Sequence, residues 1–244
     1  MRVERESDPL SPAAAASALM WWADAGVDVI VGEEPHDWLR PKTAPEKIAA
    51  ETPVPVAGGK LPGQLDLFQA YLLDNQSLSF SAPAAPRVCP AGDPTSGLMI
   101  VSDMPAAQDC ADGLLLSGET GRLFDRMLAA IGRDRESIYL ASLSCLRSPT
   151  GGFTGESAAR CAELARHHIG LVAPKAVLLL GDTCGKALLG QAVMQGRGRW
   201  HEISTHAGQI PTMLSFHPAG LLDRPSFKAA AWADLQMLMQ RLNP

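Results

Sequence analysis

The stretch IGLVAPKAVLLLG, residues 169–181, decides the fold. Its second half runs five apolar residues, from Ala176 to Leu180, and opens on Gly181. An apolar run of that length without polar alternation reads as a strand covered on both faces, as in a parallel sheet. Helical spacing flanks it, over 156–172 before and 181–189 after. Upstream, the run at 97–101 is a second strand of the same kind. A helix over 120–131 follows it, with Leu123, Phe124, Met127, Leu128 and Ile131 on one face. A third strand is expected at 138–143 and a fourth at 211–216, before a final amphipathic helix at 226–242. Strands alternating with helices imply crossover connections and a parallel sheet between helices. The expectation is an α/β fold, a three-layer α/β/α arrangement with a central four-stranded parallel sheet.

The sheet accounts for residues 63–244. Ahead of it, Ser11 and Pro12 start a helix over 13–24, by a hydroxyl cap and a first-turn proline. Gly26 follows at its C-cap. Residues 32–62 lack a period and read as a linker, so 1–62 are expected to form an N-terminal helical extension and linker. A short helix is expected at 65–73. Residues 77–96 hold Pro83, Pro86, Pro90 and Pro94 and read as an extended loop.

Hydrophobic residues are 46% of the 244 and charged residues 19%, which suits a packed core. The formal net charge of -5 argues against coating nucleic acid by charge alone, though not against a local basic patch. The five cysteines are scattered, without a CxxC pair, as reduced thiols would be. The mixed charges near residue 1 do not resemble a signal peptide, and no apolar run is long enough for a bilayer. A cytoplasmic monomer that does not enter the membrane is expected.

Open parallel sheets bind ligands beyond the carboxyl ends of their strands. That rule selects four loops: 102–118, 144–155, 181–184 and 217–225. All four are rich in polar residues, Gly or Pro.

Four stretches in order resemble the family-4 uracil-DNA glycosylases. They are GETGRLFDRML at 118–128, the opening stretch with its following ALLG at 187–190, RGRW at 197–200, and HPAGLL at 217–222 with Lys228 and WADL at 232–235. The similarity spans residues 92–242. The AGVD at 25–28 and EEP at 33–35 are similar to stretches in bacterial glycosylases with N-terminal extensions.

The resemblance implies excision of uracil or a related deaminated base from DNA, through a flipped nucleotide and a stabilised leaving anion. It implies that His217, in the His-Pro motif with Pro218, stabilises the leaving base. The family's G-E-A-P-G stands here as Ser102, Asp103, Met104, Pro105 and Ala106. Asp103 in place of Glu either polarises a water or caps the loop. The family's stacking Phe corresponds to Leu116, which covers area but lacks a π-face. The family's uracil-reading Asn corresponds to Ser142, a weaker discriminator. Arg147 and Pro149 keep part of an R-P-P stretch. Arg147, Arg197, Arg199 and Arg224 are the expected DNA contacts. The alternative for Arg197 and Arg199 is a surface pairing with Trp200.

Family-4 enzymes hold a four-iron–four-sulfur cluster on four cysteines. Only Cys161 matches a ligand position; Leu146 stands at another, beside Cys145, and Cys89 is out of register. No cofactor is therefore expected. The partner implied is DNA containing a damaged base. A catalytically degenerate relative that binds DNA or a protein without excision is the second reading. A flavodoxin-like nucleotide-binding protein is the third, and the absence of G-x-G-x-x-G after a strand opposes it.

Overall fold

A computed structural model of the protein describes residues 61–74, 86–148, 152–153 and 155–242. The expected helix at 13–24, most of the 32–62 linker, residues 77–85 and Pro149 lie outside the described residues. Among the described residues the chain runs α1 (Leu65–Asp74), β1 (Ala91–Gly92), β2 (Leu98–Ser102), α2 (Ala107–Asp112), α3 (Gly118–Ala130) and β3 (Tyr139–Ser142). It continues through α4 (Gly155–Val172), β4 (Ala176–Leu180), α5 (Asp182–Leu189), α6 (Val193–Gly196), β5 (Trp200–Thr205) and β6 (Gly208–Ser215). Then come α7 (Pro218–Asp223), a 3₁₀ turn at Pro225–Phe227 and α8 (Lys228–Leu242).

The sheet has the order β1-β3-β2-β4-β6-β5. Its centre, β3-β2-β4-β6, is parallel throughout and consists of the four expected strands. The expected four-stranded sheet is corrected to six strands, because β1 and β5 add antiparallel edges. Both edges escape a hydrophobic-run reading. Strand β1 is two exposed residues, and β5 buries only Ile203 among its six.

Every residue of β2, β3 and β4 is buried, so none of the three alternates in polarity. The pleat still sorts their side chains. Met99, Val101, Tyr139, Ala141, Val177 and Leu179 pack with Ala162, Ala165 and Ile169 of α4 and Leu188 of α5. Leu98, Ile100, Leu140, Leu178 and Leu180 pack with Phe124 and Leu128 of α3 and Leu235 and Leu238 of α8. These are the three layers. Each large apolar side chain taken from water stabilises the fold by about 1.5–3 kcal/mol.

One polar network crosses the first layer. Gln69 of α1 donates to the Tyr139 hydroxyl at 2.7 Å, and that oxygen lies 2.9 Å from Nε2 of His168 on α4. Burial pushes the His168 pKa down to about 4, aided by the neighbouring His167, and holds the Tyr139 phenol up at about 12. His168 is therefore a neutral packing residue.

Candidate active site at the carboxyl edge of the sheet

Strands β2 and β6 end side by side with β4 at one rim, in the register Val101↔Leu179 and Leu180↔Ser215. The turns after β2 and β6 begin at Asp103 and His217. Gly181, which closes β4 with φ 93, lets this rim pack tightly: a Cβ there would lie 3.1 Å from the Cβ of His217. Only glycine adopts that φ without strain.

His217 is the N-cap of α7, and Pro218 fills the first helical position, where its missing N–H costs nothing. The Ala219 N–H donates to Nδ1 of His217 at 3.2 Å. Nε2 lies 3.0 Å from Oγ of Ser102 and 3.7 Å from Oδ1 of Asp103. Burial pushes the His217 pKa below its ordinary value, against the Asp103 and Asp109 carboxylates that favour the charged ring. A neutral ring that accepts at Nδ1 carries its proton on Nε2. The Asp103 distance is too long for a hydrogen bond, so that contact is a charge facing an N–H dipole.

A cavity of about 580 Å³ opens against His217 and Asp103. Its other walls include Met104, Ala106, Asp109, the turn from Leu116 to Thr120, Arg122 and Arg147. Asp109 braces this shell. Buried on α2, it accepts from the Ala106 N–H at 3.1 Å and the Ser117 N–H at 2.7 Å, pinning both ends of the α2 hairpin. Leu116 has φ 52, a left-handed conformation that an unbranched-Cβ residue adopts only at a cost. Two guanidinium nitrogens of Arg135 hold that turn, donating to the Leu115 and Leu116 carbonyls at 2.7 and 2.6 Å. The third, Nε, pairs with Asp125 on the outer face of α3 at 2.7 Å. Gly121 leaves room for the Leu116 carbonyl, onto which any Cβ would collide.

The expected site residues divide into two groups. His217, Asp103, Leu116 and Arg147 meet in the cavity wall, and Pro105 supports it by accepting from Arg147 at 3.3 Å. Pro218 is buried behind His217. Ser142 reaches the same rim, paired with Ser102 across β2 and β3, but its hydroxyl donates to the Ser144 carbonyl at 2.8 Å and forms none of the cavity wall. Arg197 forms an ion pair with the buried Asp234. It donates to both oxygens of Asp234 at 3.2 and 2.8 Å and to the Ala230 carbonyl at 2.6 Å. Arg199 donates to Gln191 and the Gln195 carbonyl, and exposed Arg224 follows α7; neither forms part of the cavity wall.

Sequence reasoning missed three residues as parts of the site. Ser102 was hidden because a small polar residue ending a strand is commonplace. Arg135 acts from 19 residues beyond the turn it holds. Ser117 lines the cavity, and among the described residues its hydroxyl is buried without a hydrogen-bond partner.

Cys89 and Cys161 both lie close enough to Cys145 to raise its thiol pKa, three cysteines where a four-cysteine cluster needs four. Cys161 is fully buried against Leu146 and Phe153, and burial pushes its thiol and that of Cys145 up to about 12. Cys184 is buried elsewhere and donates to the Val101 carbonyl, and Cys110 belongs to α2. No group of three or more His, Cys, Asp or Glu among the described residues is placed to hold a metal ion. No helix among them is long and apolar enough to cross a membrane.

Residues 89–236 match the family model described as the uracil DNA glycosylase superfamily. The chain is 24% identical over 153 residues to the type-4 uracil-DNA glycosylase of Pyrobaculum aerophilum, covering 60% of this chain and 78% of that protein. It is 21% identical over 154 residues to the corresponding type-4 enzyme of Archaeoglobus fulgidus, covering 60% and 77%. The similar protein of Sulfurisphaera tokodaii is 20% identical over 157 residues, covering 61% and 71%. With a parallel α/β sheet and its His-Pro turn set against the turn after β2, the chain belongs to the uracil DNA glycosylase superfamily and is family-4-like.

Proposed function

We propose that the protein is a DNA glycosylase that hydrolyses the N-glycosidic bond of uracil or a related deaminated base. One observation carries this reading: His217 presents Nε2, 3.7 Å from the Asp103 carboxylate, in the wall of a cavity of about 580 Å³, with Nδ1 accepting from the Ala219 N–H. The nucleotide is extruded into the cavity. The bond from the base nitrogen to C1′ breaks with its electron pair going to the base. His217 Nε2–H donates to the base oxygen where that charge gathers, a contact that strengthens in the transition state. Asp103 faces the growing positive charge on the sugar and orients the water that adds to C1′.

The cavity wall carries the carboxylates of Asp103, Asp109 and Glu119 against the guanidinium groups of Arg122 and Arg147. That excess of negative charge suits a neutral heterocycle with N–H donors better than a phosphate. Phosphates then belong outside, near Arg147 and Arg224. With the Ser142 hydroxyl closed on its own loop, Ser117 supplies the polar contact to the base edge, after rotation about its Cα–Cβ bond.

The test is excision from single- and double-stranded oligonucleotides containing uracil, hypoxanthine or xanthine. His217→Ala should slow the reaction by about 10²–10³. Loss of the aromatic stack at Leu116 and of the edge-reading amide at Ser142 favours the second reading, a relative that binds DNA or a protein without excision. Absence of abasic product from every substrate would select it.

A further inference from the structure

We propose that Ser102 is a positioning residue that restrains His217, holding the Nε2 proton toward the sheet and away from a ligand in the cavity. The inference rests on the glycosylase reading only for its consequence in catalysis. The geometry stands by itself. Nδ1 accepts from the Ala219 N–H, so in the neutral ring Nε2 is the donor, and Ser102 Oγ at 3.0 Å is its acceptor. The reverse polarity would require both ring nitrogens to accept, which a neutral imidazole cannot do.

Ser102 cannot follow the ring outward. It is 1% exposed and is the last residue of β2, paired with Ser142, and its carbonyl accepts from Leu143 at 2.9 Å. His217 and Asp103 face the cavity, whereas Ser102 is absent from its wall. The acceptor therefore sits behind the imidazole. A base entering the cavity competes with a buried hydroxyl for one N–H.

Ser102→Ala and Ser102→Gly both delete the hydroxyl without adding volume. Two readouts are compared across wild type and both variants. One is nitrogen-15 NMR of the His217 ring, with the Nε2-bound proton followed by its exchange with water. The other is single-turnover excision. The expected results are an Nε2–H tautomer with a slowly exchanging proton in wild type, exchange faster by about tenfold in both variants, and excision faster by about three- to tenfold, the size of one neutral hydrogen bond released. An Nδ1–H tautomer in wild type, or unchanged exchange in the variants, overturns the proposal. Faster exchange with equal or slower excision also overturns it, since the hydroxyl would then assist His217. Faster exchange with no excision by any of the three proteins upholds the restraint on the ring and removes the glycosylase reading instead. Thermal unfolding of each variant establishes that the sheet is intact.

Discussion

Replacing Arg197 by methionine should cost stability, not DNA affinity. The guanidinium makes two bonds to Asp234 and one to the Ala230 carbonyl, and stacks 5.5 Å from the Phe216 ring centre. Asp234 is fully buried and also accepts from Ser215 at 2.7 Å. Burial lifts its carboxyl above the ordinary value, with Ser215 and Arg197 opposing the rise. Removing one member of a buried pair costs about 3–5 kcal/mol, because the remaining charge has no partner. Arg197 is 23% exposed, which places the loss near the lower end, about 3 kcal/mol. For a domain of this size that lowers the melting temperature by about 6–12 °C. The deficit should shrink on acidification, as the stranded carboxyl takes a proton, and should be smaller in Arg197→Met combined with Asp234→Asn than the two single losses imply. Urea unfolding at pH 8 and pH 5 measures all of this. Arg147→Ala is the contrast: little change in stability, with the salt dependence of DNA binding reduced by about one phosphate. A variant at Arg197 that keeps its stability within about 0.5 kcal/mol yet flattens that salt dependence would refute the assignment.

The remaining predictions concern folding and the cysteines. The unfolded chain protonates His168 below about pH 6.5, while the folded protein resists to about 4, so stability present above 6.5 is lost as the pH falls through that interval, by about 3 kcal/mol. His168→Gln should flatten this acid limb in urea titrations, and an identical limb would count against it. Gly121→Ala should destabilise by about 1–3 kcal/mol and disturb the Leu116 turn, seen as altered base binding alongside the lower urea midpoint. Protein purified without oxygen should lack the broad visible absorption of an iron–sulfur cluster, and stoichiometric iron would overturn the reading of Cys161 and Leu146 as packing residues.

The centre of the fold was legible because strands buried on both faces advertise themselves as unbroken apolar runs. Strand β5 was not, since an edge strand with one buried residue in six carries no such run. The meeting of Asp103 with His217 followed from topology, because parallel strands put their following turns at one rim. The partner of Arg197 was not legible, for a physical reason. A guanidinium in a polar stretch resembles a surface cation until its buried partner, 37 residues onward, is seen. Ser142 shows the limit of positional matching: the residue stands at the expected place in the register, but a hydroxyl bonds whichever carbonyl is nearest.

The Arg135 fork has a consequence for what holds this cavity in shape. Its anchor, Asp125, is 54% exposed on the outside of α3, while its other end fixes two carbonyls of the inner turn. Asp125, outside the cavity wall, supplies one of the contacts that orient Arg135, so the restraint on the left-handed turn at Leu116 reaches to a residue on the outer helix face.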